Sequence, residues 1–176
     1  KGKLKRGSTR GDGFVGEDVT QNLKMIKDIP DSLKSDDTIE IRGEVYLPRK
    51  EFEKINEKLY EAGKPLLSNP RNAAAGTLRQ LDVELVKNRN LSIFVFNVQK
   101  GGNFKSHFES LDYLEKNGVK VIEKRKICVE VEEVLDYISY IGKIRDELEY
   151  DIDGAVVKVD DLNIRNEMGK TVKVPK

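Results

Sequence analysis

The chain has 176 residues, of which 36% are charged and 38% hydrophobic, with a formal net charge of +1. That length supports one domain with a real core and is short for two. The composition argues against a disordered or membrane-borne chain, and one cysteine, Cys128, excludes an internal disulfide or a multi-cysteine zinc site and fits a reducing, cytosolic setting.

The opening "KGKLKRGSTR" carries Lys1, Lys3, Lys5, Arg6 and Arg10 with no acid, and it reads as a strand already under way. "TIEIRGEVYL", Thr38 to Leu47, alternates as a strand does: Ile39, Ile41, Gly43 and Val45 fall on one face and Glu40, Arg42, Glu44 and Tyr46 on the other. After Pro48, Phe52, Ile55 and Leu59 recur at helical spacing, and Gly63 supplies a stop. "NPRNAAAGTLRQLD", Asn69 to Asp82, sets Ala73, Ala74, Ala75 and Gly76 between Arg71 and Arg79. Such a run either packs very closely or lets its backbone approach a ligand. "LSIFVFNV", Leu91 to Val98, is a strand. Ser106 with Glu109 opens a capped helix that ends at Asn117-Gly118. "VKVIEKRKIC" reads as a strand, "VEEVLDYISYIGKIRDEL" as a long helix, and "DGAVVKVDDL", Asp153 to Leu162, as a second strong strand with a short helix after it. Strands and helices mix without regular βαβ alternation, so the fold class is α+β.

Several short motifs fail on context. "GDGFVG", Gly11 to Gly16, matches G-x-G-x-x-G, but a dinucleotide fingerprint needs an apolar strand before its glycines and the residues here are basic. "GKT" at Gly169 lacks the earlier glycine of a phosphate loop, since Ile164 stands there. "RGD" at Arg10 has no extracellular context. His107, the one histidine, reads as a surface helix residue, and Cys128 as a buried thiol at a strand end.

Three charges are harder to dismiss. Glu44 lies inside a strand, Lys158 inside the apolar "GAVVKV", and Asp153 at the mouth of that strand. Together with Arg71 and Arg79 they would line a pocket suited to a nucleotide. Carboxylates would meet ribose hydroxyls or a metal, the cations would meet phosphate, and an aromatic would lie under the base.

"STRGDGFVGEDVTQN", "IRGEVYLP", "NPRNAAAGTLRQLD" and "YDIDGAVVKV", in this order, resemble the adenylation (nucleotidyltransferase) domain of bacterial NAD-dependent DNA ligases across essentially the whole chain. The resemblance implies a nucleotidyltransferase fold, mainly antiparallel sheets flanked by helices, with residues 1–176 forming part of that domain and both ends cut from something longer. It implies nick sealing in duplex DNA through an enzyme–AMP and a DNA–adenylate, with NAD as adenylate donor and Mg²⁺ assisting. Zn²⁺ is implied only for other parts of such a ligase. Glu44, Asp153 and Lys158 match catalytic positions. Arg10, Glu44, Phe96 and Lys158 match nucleotide contacts, Phe96 standing where the family usually has a tyrosine. Arg71, Arg79 and Arg145 match arginines that bind phosphate and the nick. No metal ligand is implied within the chain.

The family's nucleophilic lysine belongs to a "K-x-D-G" motif expected ahead of residue 1. The chain alone is therefore expected to be inactive, and its parent to be a monomeric, cytoplasmic, nucleoid-associated bacterial enzyme. Two alternatives stay open at this point: a non-catalytic nucleic-acid-binding module, and a relative of ATP-dependent ligases or capping enzymes.

Overall fold

The computed structural model describes residues 2–11 and 15–169. At its centre β1 (Glu40–Tyr46) pairs antiparallel with β2 (Ser92–Lys100). Val45 stands opposite Ile93 and Gly43 opposite Val95, while Glu44 faces Phe94 and Tyr46 faces Ser92. Cross-strand partners share a face, so the alternation read from the sequence becomes one packed face and one that carries Glu44. Between Arg42 and Gly43 the register slips, since Arg42 pairs with Asn97 and leaves Phe96 as the extra residue of a bulge. Gly43 sits at that slip. A Cβ there would lie 2.7 Å from the Phe94 carbonyl oxygen, so only glycine fits without displacing backbone.

Two apolar clusters share the packed face. One gathers Ile26, Leu47, Ala74, Val86 and Leu91, with Val45 and Ile93 from the sheet and Phe52 and Ile55 from α2 (Arg49–Glu61). The other gathers Val95, Leu111, Leu114, Val119 and Val121, with Leu111 and Leu114 supplied by α5 (His107–Lys116). Each valine, leucine or isoleucine among them contributes about 1.5–3 kcal/mol when fully buried. The remaining helices are α1 (Thr20–Leu23), α3 (Pro70–Leu78), α4 (Val83–Asn88), α6 (Val131–Ile144) and α7 (Leu162–Met168), and a 3₁₀ turn, Arg145–Glu147, follows α6.

The helical readings hold. Gly63 turns left-handed just past α2, and Ser106 accepts from the Glu109 amide at the start of α5. The Glu109 carboxylate reaches back to the Lys105 amide rather than to Ser106 itself.

Three strand readings shrink. Residues 2–11 make only the single bridges Lys3–Ser32 and Ser8–Asp18, Val121 meets Val95 in one parallel bridge, and Asp161 meets Ser106 in one more. A strand needs a row of backbone partners as well as a suitable pattern. For the segment after α5, Val95 N–H to Lys120 O and Ile122 N–H to Val95 O, both at 2.9 Å, join it to β2 without extending into a ladder among the described residues. Residues 153–160 form no ladder among the described residues, and Val156 is 81% exposed. Cys128 is half-buried and outside any strand, so the reading of a buried thiol at a strand end is corrected.

Candidate functional site

The other face of the sheet carries Arg42, Glu44 and Tyr46 from β1 and Ser92 and Phe94 from β2; its Tyr46–Ser92 end is buried, and Arg42 and Glu44 are exposed. Glu44 is exposed, with Phe94 across from it. Phe94 belongs to an aromatic trio, its ring centroid 5.6 Å from Tyr46 and 4.8 Å from Tyr150, with Tyr46 and Tyr150 5.0 Å apart. Such tilted contacts stabilise by about 0.5–1.5 kcal/mol each beyond their burial. The Tyr46 hydroxyl donates to Glu149 (3.2 Å), and Lys120 donates to Asp28 (3.1 Å), to Ser92 (2.9 Å) and to that hydroxyl (3.4 Å). This network, which sequence spacing does not reveal, ties together the Tyr46–Ser92 end of the face, two residues along β1 from Glu44.

Lys158 arrives from the unladdered segment. Its ammonium donates to the Phe96 carbonyl at 3.3 Å and stands 5.2 Å from the centre of the Phe96 ring, a cation–π contact. Loss of water around the ammonium there lowers the Lys158 pKa from the ordinary lysine value, and the nearby Arg165 charge lowers it further. Asp160 fastens the segment to the start of α5: its carbonyl accepts the His107 amide and its carboxylate the Phe108 amide, both at 2.8 Å.

His107 is half-buried rather than on the open surface. Burial, then the charges of Lys158 and Arg165, push its pKa down to about 4, against an opposing pull from Asp160. The folded protein therefore keeps His107 neutral where an unfolded chain, titrating near 6.5, binds a proton. Stability is expected to fall as the pH drops from about 6.5 toward 4. His107→Gln should flatten that part of a plot of urea midpoint against pH, and an unchanged slope would exclude His107 as the source.

α3 splits the small-residue run in two. The Asn69 side chain caps the helix by accepting the Asn72 amide at 2.7 Å, and Pro70 begins it. Ala74 is buried and Ala73 half-buried against the first core cluster, whereas Ala75 and Gly76 are exposed and a Cβ on Gly76 would meet nothing within 4 Å. Arg71, Ala75 and Arg79 follow one another at four-residue spacing, which puts both exposed arginines on the open side, about 12 Å apart along the axis. Arg79 faces Glu17 at 3.7 Å, a solvent-screened pair of little energetic weight.

Buried Asn22 does more to fix that arginine. Its amide donates to the carbonyls of Leu78 (2.6 Å) and Gln80 (2.8 Å), which flank Arg79. Nothing in the sequence links positions 22 and 79.

Arg145 follows α6 and donates to the Ile152 carbonyl at 3.4 Å, beside exposed Asp153, and Arg10 is exposed within the segment bridged by Ser8 and Asp18. The structure thus groups Glu44 with Phe94, Lys158 with Phe96, and Arg145 with the backbone next to Asp153. Among the described residues no hydrogen bond or ion pair joins Glu44, Asp153, Lys158 and Arg71 to one another. "GDGFVG" lies partly, and "GKTVKVPK" almost wholly, outside the described residues. An exposed carboxylate on a sheet face, a cation-covered aromatic ring and solvent-facing arginines on a nearby helix can take up a ligand with an aromatic base and phosphates.

The family described as NAD-dependent DNA ligase adenylation domain matches residues 1–176. The DNA ligase of Thermoanaerobacter sp. (strain X514) is 53% identical over 178 residues, taking in 100% of this chain and 27% of that protein. That of Acetivibrio thermocellus is 51% identical over 178 residues, with 99% of this chain and 27% of the relative covered. That of Clostridioides difficile is 46% identical over 177 residues, with 99% and 26% covered. The chain therefore spans about a quarter of the length of these relatives.

Proposed function

We propose, from the premise that this chain belongs to the NAD-dependent DNA ligase adenylation domain family, that residues 1–176 are part of the nucleotidyltransferase domain of a ligase that seals nicks in duplex DNA. The observation that carries the reading is the exposed part of the β1–β2 face, where Glu44 stands beside Phe94, together with Lys158 seated on Phe96.

In the proposed reaction an enzyme lysine attacks the α-phosphate of NAD, forming a P–N bond and expelling nicotinamide mononucleotide. The AMP passes to the 5′-phosphate at the nick. The 3′-hydroxyl then attacks that activated phosphate, and AMP leaves. Charge builds on phosphate oxygens in every step, so fixed cations are the main help this chain can give.

Glu44 accepts hydrogen bonds from the ribose hydroxyls, and Phe96 gives the adenine an apolar surface. Lys158, close to that ring and carrying a lowered pKa, faces the α-phosphate. Arg10 adds a nucleotide contact, and Asp153 orients the mouth of the Lys158 segment. Arg71, Arg79 and Arg145 hold the phosphates of the nicked strand.

Among the described residues no group of three or more His, Cys, Asp or Glu side chains is arranged to hold a metal ion. Mg²⁺, which the family implies, would be held chiefly by the nucleotide phosphates, and the roles above stand on the chain's own residues. No helix of the described residues is long and apolar enough to cross a membrane.

The test uses a ligase carrying this chain as its adenylation domain, incubated with NAD labelled in the adenylate half. Covalent AMP on the protein is the expected result. Labelling from ATP but not from NAD would point to the ATP-dependent relatives, and no label from either would overturn the reading. Arg79→Ala is expected to weaken binding to nicked DNA and to flatten the log–log salt slope by about one unit, the signature of one lost phosphate contact. An unchanged slope would remove Arg79 from the DNA interface.

A further inference from the structure

The loop from Arg145 to Asp153 joins two of the proposed site residues, and one side chain outside it holds both of its ends. Arg49, the first residue of α2, donates through Nη1 to the Asp146 carbonyl at 3.0 Å and through Nη2 to the Asp151 carboxylate at 2.7 Å. Its own backbone amide donates to the Glu149 carbonyl at 3.0 Å. Asp146 directly follows Arg145, and Asp151 is two residues before Asp153. Arg49 itself is five residues beyond Glu44, after the turn at Pro48. The loop is also pressed onto the sheet by Tyr150, against Phe94 and Tyr46.

We infer that Arg49 is a positioning residue for the site: its guanidinium sets the distance between Arg145 and Asp153 and registers both against Glu44 on β1. The planar fork is what allows this. Two donors on different nitrogens satisfy a backbone carbonyl at one end of the loop and a carboxylate at the other. A lysine ammonium at the same place is a point charge on a flexible stem and cannot fix two acceptors in one plane. The Arg49 side chain is 32% exposed and that of Asp151 66% exposed, so the clamp contributes little to stability. Its value lies in geometry, because displacement of site groups by about 1 Å can cost a hundredfold in rate. The inference rests on the ligase reading above, which assigns Arg145 to the phosphates of the nicked strand and Asp153 to the mouth of the Lys158 segment.

The experiment measures nick sealing and NAD dependence for the full ligase and its Arg49→Ala, Arg49→Lys, Asp151→Ala and Arg49→Ala/Asp151→Ala forms. Arg49→Ala is expected to lower kcat at least about tenfold, with KM for NAD within about twofold. Arg49→Lys should not restore the rate. Asp151→Ala should also lose rate, and the double variant should lose less than the product of the two single losses, since both remove the same clamp. Thermal midpoints should stay close to that of the parent. A mere loss of folded protein would shrink the fraction of molecules that take up AMP and leave their rate unchanged. Wild-type kcat in Arg49→Ala, full rescue by Arg49→Lys, or strictly multiplicative losses would each overturn the inference. Failure of the unaltered ligase to take up AMP would instead overturn the function on which it rests.

Discussion

Replacing Lys158 with alanine in a ligase carrying this domain is expected to slow nick sealing by at least about a hundredfold, the usual cost of removing one fixed donor at developing phosphoryl charge. The fold should be indifferent to the change. Residue 158 is exposed, belongs to no strand ladder, and its ammonium makes one long hydrogen bond, 3.3 Å to the Phe96 carbonyl. The ammonium's position over the Phe96 ring, 5.2 Å from its centre, is what the substitution removes.

Glu44→Ala should act on the same reaction with a similar loss, since Glu44 is exposed on the face shared with Phe94 and packs into neither core. Urea unfolding and single-turnover sealing, measured side by side, check both variants. Sealing within threefold of the parent for both would remove the sheet face from the active site, and a large drop in midpoint for either would mark a structural residue instead.

Leu114→Ala is the complementary case, with a large effect on stability and none aimed at chemistry. Leu114 is 0% exposed and packs with Leu111, Val95, Val119 and Val121 where α5 meets β2. A buried leucine replaced by alanine costs about 2–5 kcal/mol, through lost burial and the cavity left behind. Total domain stability is about 5–15 kcal/mol, so the loss is severe. For a domain of this length it lowers Tm by roughly 2–4 °C per kcal/mol. The control is Leu81→Ala, at a side chain 100% exposed, where a change within about 0.5 kcal/mol is expected. Equal effects at the two positions would contradict the packing described.

The helices were legible because their signals are local. Spacing of apolar residues, the caps at Asn69 and Ser106 and the stop at Gly63 all act within a few residues. The strands were legible only in part. Thr38–Leu47 and Leu91–Val98 find each other, but Val119–Cys128 and Asp153–Leu162, with equally good patterns, find one bridge each. Ladder formation depends on a partner edge, which no segment carries in its own pattern.

The chain's own order of residues was enough to determine its family, because "NPRNAAAGTLRQLD" and the motifs around it are long and specific, and it determined that Glu44 and Arg42 share a face. Which residues hold those side chains in place was decided only in three dimensions. Asn22 reaches the carbonyls around Arg79, Lys120 ties Asp28 to Ser92 and Tyr46, and Arg49 spans Asp146 to Asp151, at separations of 56 to 102 residues for the longer contacts. The small-residue run shows the division most clearly. Its composition allows either close packing or ligand approach, and the fold uses it for packing at Ala73 and Ala74 while leaving Ala75 and Gly76 open between two arginines. The physical reason is that a helix has two sides, and only its neighbours decide which of them is covered.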